Sequence, residues 1–265
     1  MTPADLAARA RIAQEVALSA GALALRYFRR ELAWEIEAKG GPQDYVSAAD
    51  RAVEDHIRAA LAQAFPADDM IGEERGGTEA AHVWVVDPID GTLNFVHGVR
   101  YWCVSIAFVE RGVRRVAAIH DPSAGELFHA VAGGGAWCND RPMRTSRCTR
   151  LADALIAQGY VHRHDLDRHL ALRRALLAGG AAVKDHGAGA LMLAHVAAGR
   201  FDGFLEPHMH AWDALAGLLL VDEAGGRVAD YPGPGGLTGG GPVLACAPAL
   251  FETLRAVADG RPPSG

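Results

Sequence analysis

Leu and Ile recur among alanines at the spacing of one helical face over residues 3–29, and Pro3 suits a first helical position, so a long opening helix is predicted there. Residues 31–39 read as a strand that Gly40-Gly41-Pro42 ends, and a second helix is predicted over 47–64, short of Pro66. Trp84-Val85-Val86 is an apolar run with the character of a buried strand, and it stops abruptly at Asp87-Pro88-Ile89-Asp90-Gly91. Beyond it the pattern shortens to β runs at 104–108, 113–119 and 126–130, parted by Arg111-Gly112, Asp121-Pro122 and Gly133-Gly134-Gly135. Such spacing predicts an antiparallel meander.

The second half alternates: helices at 166–177, 188–198, 213–223 and 248–258, strands at 182–186, 202–206, 227–229 and 243–246. Glycine-rich residues 232–242 read as a long surface loop, and the tail 260–265 is expected to be disordered. This alternation predicts an α/β (α+β layered) fold of helix and sheet layers. At 265 residues the chain is longer than the commonest domain size, yet α/β enzymes of this length often form one unit, so a single domain is expected.

Half of the residues are hydrophobic and 22% are charged, which suits a chain able to bury a sizeable core. The formal net charge of -6 makes no electrostatic case for nucleic acid, and the arginines from Arg141 to Arg150 lack interleaved aromatics. Cys103, Cys138, Cys148 and Cys246 form no C-x-x-C pair and read as reduced core thiols. The first residues lack a basic and then apolar signal, and no apolar stretch approaches the ~18 residues of a membrane span, so a cytoplasmic location is expected.

The end of the buried strand carries the chemistry. Asp87 and Asp90, joined by a turn whose proline fixes one φ angle, can converge on one point, where a divalent cation would relieve their repulsion. Asp-Pro and Asp-Gly also make plain turns, so this segment alone does not decide the matter. A calcium loop is excluded because its twelfth position would need a glutamate and is Gly98. Two further segments add matching acids: Gly72-Glu73-Glu74 after a short apolar step, and Trp212-Asp213, where Asp213 stands near the positive end of a helix closing at Gly225-Gly226. Oxygen donors without cysteine or paired histidine favour a hard cation such as Mg²⁺ or Mn²⁺. Ser47 and Asp50 make a capping-box pattern. His162, His164, His169, His208 and His210 are read as solvated loop residues, His195 as packed in its helix, and Trp84, Trp102 and Trp212 as core anchors.

Taken in order, Lys39, Asp44 to Asp50, Gly72-Glu73-Glu74, Asp87 to Thr92 and Trp212-Asp213 resemble the inositol monophosphatase family, the Mg²⁺-dependent, Li⁺-sensitive phosphatase superfamily. The resemblance spans nearly the whole chain. It implies a sugar-phosphatase-like αβαβα sandwich, with a metal and catalytic half over about 1–150 and a substrate half over about 151–259. It implies hydrolysis of a phosphate monoester, most of all myo-inositol 1-phosphate, with histidinol phosphate or another sugar phosphate as the alternative substrate and a regulatory binding protein as the alternative of a different class.

By the same resemblance, Glu73, Asp87 and the Ile89 carbonyl would hold one Mg²⁺, and Asp87, Asp90 and Asp213 a second. A third ion near Glu73 and Glu74 is a further family-based expectation. Asp50 would pair with the Thr92 hydroxyl and, with Glu74, orient the attacking water; Lys39 would lie near the phosphate. Gly91 and Thr92 would bind phosphate oxygens, while Asp90, Gly189 and Glu206 would face the ring. Relatives commonly show Gly-Ser-Ala-Ala where this chain has Gly187-Ala188-Gly189-Ala190, a departure that bears on inositol selectivity. A small-molecule phosphate ester and a second copy in a homodimer are the expected partners, with no nucleic acid and no membrane.

Overall fold

Thr2 opens the first helix as a capping box with Asp5, each side chain meeting the other's backbone amide, and α1 (Pro3–Phe28) runs from there. The computed structural model describes residues 1–33, 36–38, 45–159, 165–232 and 236–261. Its further elements in chain order are β1 (Ile36–Ala38), β2 (Tyr45–Ser47), α2 (Ala48–Ala64), β3 (Asp69–Gly72), β4 (His82–Asp90), α3 (Thr92–Val96), β5 (Cys103–Glu110), β6 (Val113–Asp121), β7 (Glu126–Val131), β8 (Ala136–Cys138) and β9 (Arg141–Pro142). The second half adds β10 (Leu155–Gln158), α4 (Leu166–Ala178), β11 (Ala182–Lys184), α5 (Gly189–Ala197), β12 (Gly203–Met209), α6 (Ala211–Glu223), β13 (Arg227–Val228), α7 (Gly236–Gly239), β14 (Gly241–Cys246) and α8 (Phe251–Ala258).

Strands β3 to β9 form one sheet in sequence order, with β3 parallel to β4 and every later neighbour antiparallel. The second sheet has the order β11-β10-β12-β14-β13. Helices α1 and α2 cover one face of the first sheet, α5 and α6 fill the space between the sheets, and α4 and α8 close the far face of the second. The predicted helix and sheet layers are therefore present, in the order α, β, α, β, α.

Strand β4 explains why its sequence reads as unbroken apolar. Trp84 and Val86 point into the core under α1 and α2, while Val83 and Val85 point into the core under α5 and α6. Both faces are covered, so period-two alternation of polar and apolar residues has no place there.

Three expectations need correction. Of the strand predicted over 31–39, the described residues form Ile36–Ala38, while Glu31 and Leu32 belong to the bend leaving α1 and residues 34, 35 and 39 lie outside the described residues. The meander continues past 130 through β8 and β9. The segment 232–242, of which 233–235 lie outside the described residues, is not all surface loop: Leu237 is buried, Glu79 Oε1 accepts the Leu237 amide at 2.6 Å, and β14 begins at Gly241. The predicted turn at 40–42 and the tail beyond 261 lie outside the described residues. Among the described residues no helix is long and apolar enough to cross a membrane.

Candidate metal centre

Asp87 lies opposite Ser105 on β5 and Asp90 opposite Cys103, so one extra residue is accommodated on β4 between them. Such a bulge re-aims side chains at a strand end. Asp87 Oδ1 accepts the Ile89 amide at 2.9 Å, while the Ile89 side chain is sealed in the core, leaving its carbonyl as its one polar group toward the turn. The Thr92 hydroxyl stands 3.1 Å from that carbonyl, its one hydrogen shared between the carbonyl and the Asp50 carboxylate. Gly91 has φ 89°, and a Cβ there would stand 2.9 Å from the Ala188 Cβ, so glycine is required twice over.

From α6, Asp213 comes to the same place. It occupies the third helical position, and its Oδ2 accepts the His210 amide at 3.2 Å. Oxygens of Asp87, Asp90 and Asp213 all lie within 4.8 Å of one another. Glu73 is not one of this close set, yet its charge stands first among the carboxylates acting on Asp87.

Electrostatics follow from that crowding. Burial, then the charges of Glu73, Asp213 and Asp90, hold the Asp87 carboxyl well above the usual range. Asp90 is pushed up to about 7 by burial and by Asp213, against the opposing amides of Leu191 and Gly189 and the Cys103 thiol. Glu206 is likewise raised, by burial and by Asp213, Asp185 and Asp90. Buried carboxylates that raise one another in this way fit a divalent cation, since its charge removes both the repulsion and the desolvation cost.

Around this set the predicted residues take distinct places. Asp50, fully buried on α2, accepts the Thr92 hydroxyl at 3.2 Å. The Ser47 side chain, Lys39 and Asp44 lie outside the described residues. Asp90 accepts the amides of Gly189 at 3.1 Å and Leu191 at 3.2 Å, and so caps α5. Glu206 approaches from β12; a Cβ on Gly189 would be 3.9 Å from its Oε2 and one on Gly159 only 2.0 Å. The missing methyl at Gly189 leaves room for Met209, whose Cε would be 2.6 Å from a Cβ there.

The histidines divide. His162 and His164 fall outside the described residues. His169 is buried on α4 rather than solvated, within hydrogen-bonding range of Gln158, because the helix turns it toward the second sheet. His208 and His210 are half-buried, and His210 stacks on Trp212 at 4.6 Å. Trp212 itself is only partly buried, unlike Trp84 and Trp102. His195 packs among Tyr101, Phe128 and Phe201 as predicted.

Two residues that sequence reasoning passed over hold the loops. Asn94 donates through Nδ2 to the carbonyls of Tyr101 at 2.8 Å and His186 at 2.6 Å, tying α3 to the turn that leads into α5. Glu54, fully buried on α2, accepts the amides of Glu74 at 2.7 Å and Arg75 at 3.1 Å. Its position one helical turn after Asp50 was the available signal.

Comparison with known proteins bears on family and fold. The model of the inositol monophosphatase family matches residues 5–260. An inositol-1-monophosphatase of Rhizobium meliloti is 41% identical over 222 residues, 82% of this chain and 84% of that one. A Pseudomonas aeruginosa protein called Nus factor SuhB is 40% identical over 257 residues, 92% of this chain and 94% of that one. Among solved structures, the extragenic suppressor protein suhB of Bartonella henselae superposes with a TM-score of 0.86 at 35% identity, covering 94% of this chain and 97% of that one.

Proposed function

The chain belongs to the inositol monophosphatase family of metal-dependent phosphate-monoester hydrolases, and on that premise we propose that it hydrolyses myo-inositol 1-phosphate with Mg²⁺ as its cofactor. The observation that carries this reading is the meeting of Asp87, Asp90 and Asp213 beside the Asp50–Thr92 pair. In it, Glu73, Asp87 and the Ile89 carbonyl hold one Mg²⁺, and Asp87, Asp90 and Asp213 hold another. A third ion near Glu73 and Glu74 is a weaker member of the set, and Mn²⁺ a substitute. Bound there, such ions supply a more acidic water and neutralise the departing alkoxide.

The remaining work falls to the chain's own groups. Asp50 accepts the Thr92 hydroxyl, which leaves the Thr92 oxygen able to accept from the attacking water and orient it. Glu74 takes part in that orientation. Amides of Gly91 and Thr92 receive phosphate oxygens, and Lys39 adds a positive charge near them. Glu206, Asp90 and the Gly189 turn face the ring hydroxyls; residues about 1–150 form the metal and catalytic half and about 151–259 the substrate half, with Asp213 supplied to the metals from the second. A cytoplasmic homodimer and sensitivity to Li⁺ complete the reading.

A phosphate-release panel with Mg²⁺, covering inositol phosphates, histidinol phosphate and fructose 1,6-bisphosphate, tests it. The highest kcat/KM is expected on myo-inositol 1-phosphate; a clear preference for histidinol phosphate or another sugar phosphate would replace the substrate and keep the chemistry. A second reading, regulation by binding, is supported by the relative called Nus factor SuhB. Release of phosphate from none of these esters would favour it.

A further inference from the structure

Helix α2 presents two fully buried acids one turn apart, and each one holds a different loop of the metal centre. Asp50 meets Thr92, while Glu54 meets the turn after β3. We propose that Glu54 is a positioning residue for metal binding, acting through the loop that carries Glu73; this rests on the reading of Glu73 as a metal ligand.

The loop is built around the Glu54 carboxylate. Gly72 and Gly76 exchange backbone hydrogen bonds of 3.1 and 2.9 Å, which closes a tight turn, and Gly76 takes φ 64° to do so. Inside it, Glu54 accepts the Glu74 and Arg75 amides, and the Val86 carbonyl accepts the Glu73 amide at 3.2 Å. Three successive amides are therefore anchored. A Cβ on Gly72 would fall 2.3 Å from Glu54 Oε1, so the glycine is the space the carboxylate occupies. One turn further along α2, Arg58 donates to Glu54 at 2.8 Å and to the Gly76 carbonyl at 3.2 Å. The acid is thus charge-balanced by Arg58, and its neighbours on the same buried face are Asp50 and the apolar Ala49, Val53, Ile57 and Leu61.

Burying a carboxylate on this largely apolar face is costly unless it is paired and hydrogen-bonded, as Glu54 is through Arg58 and two backbone amides. Here these bonds fix the backbone from which Glu73 and Glu74 project, two adjacent acids of which Glu73 is held near Asp87 despite the repulsion that acts before any cation arrives. Pre-ordering the loop removes that ordering cost from the binding step.

The test is Mn²⁺ binding, by calorimetry and by the spin-resonance signal of free Mn²⁺, on the parental protein, Glu54→Gln, Glu73→Gln and the double variant. Thermal unfolding without metal serves as the fold control. Glu54→Gln should weaken Mn²⁺ binding roughly tenfold to a hundredfold, the usual range for a residue that orients a ligand. The same substitution in the Glu73→Gln background should add little, because the group it orients is gone. Rising Mg²⁺ should recover turnover in Glu54→Gln, placing the loss in metal affinity rather than kcat. Parental affinity in a folded Glu54→Gln, beside a weakened Glu73→Gln, overturns the inference alone; additive losses overturn it too. Parental affinity in Glu73→Gln overturns the ligand reading beneath it, and the inference with it. If Glu54→Gln gives no cooperative unfolding, Glu54→Asp, which keeps the charge beside Arg58 but withdraws the oxygens, is read against the same outcomes.

Discussion

Asp90 and Gly189, 99 residues apart, are joined by a 3.1 Å hydrogen bond in which the glycine amide donates to the carboxylate. With the Leu191 amide on its other oxygen, one side chain ends β4 and caps α5. The turn that carries two of the three clustered aspartates and the turn proposed to face the substrate ring are therefore a single unit.

Asp90→Asn is expected to lower Mg²⁺-dependent turnover by at least about a hundredfold, since losing a ligand costs no less than losing a residue that orients one. The fold should survive. The Asn side chain keeps one of two acceptors, a loss of about 1–3 kcal/mol that is opposed by removing a buried charge. Phosphate release measured beside thermal unfolding checks both halves, and near-parental activity would remove Asp90 from the metal site.

Stability without metal should depend on pH in a defined direction. Asp90 has a folded value of about 7 against 3.8 for the free group, so its contribution is fully present below about pH 4 and is lost as pH rises through 7. His195 works the other way: burial and the Arg200 charge lower it to about 4 from 6.5, so its contribution is full above 6.5 and is lost as pH falls toward 4. The gain in Tm on adding Mg²⁺ separates them, because it follows the carboxylates alone. That gain should grow between pH 5.5 and 7.5, and a gain independent of pH would contradict the assignment.

Thr92→Val should reduce kcat by about a hundredfold or more, the lower end of what a positioned proton-transfer group contributes. Thr92→Ser keeps the hydroxyl and should recover most of it. Steady-state rates at saturating Mg²⁺ distinguish this from weaker metal binding.

Glu206→Ala should lower kcat/KM on inositol phosphate relative to a generic aryl phosphate by roughly tenfold to a hundredfold, the value of about 1.5 to 3 kcal/mol for hydrogen bonds to a charged group. Gly159→Ala should act in the same direction, since its Cβ would sit 2.0 Å from Glu206 Oε2 and displace the carboxylate. Equal losses on both substrates would make Glu206 a support for the metals.

Li⁺ at millimolar concentration is expected to inhibit at high Mg²⁺. A titration of steady-state rate decides, and insensitivity would align the chain with Li⁺-tolerant relatives.

Periodicity and turn chemistry were enough to locate α1, most of the meander, α5, α6 and the acidic turn from Asp87 to Thr92, because each is a property of neighbouring residues along the backbone. The Asp50–Thr92 pair was legible only through family resemblance, since spacing alone favoured a helix cap. The i, i+4 spacing from Asp50 placed Glu54 on the same helix face, but no local pattern showed that it would anchor the Glu74 amide 20 residues away, or that Asp90 would cap α5. Nor did local pattern show that the Leu237 and Thr238 amides would be held by Glu79, or that His169 would be buried. Those outcomes depend on which surface covers a polar group and which amide it meets there, and packing of distant segments decides both. The sequence determined the ligand chemistry, oxygen donors at the end of a buried strand; the tertiary structure decided which carboxylates meet and which buried groups hold them in place.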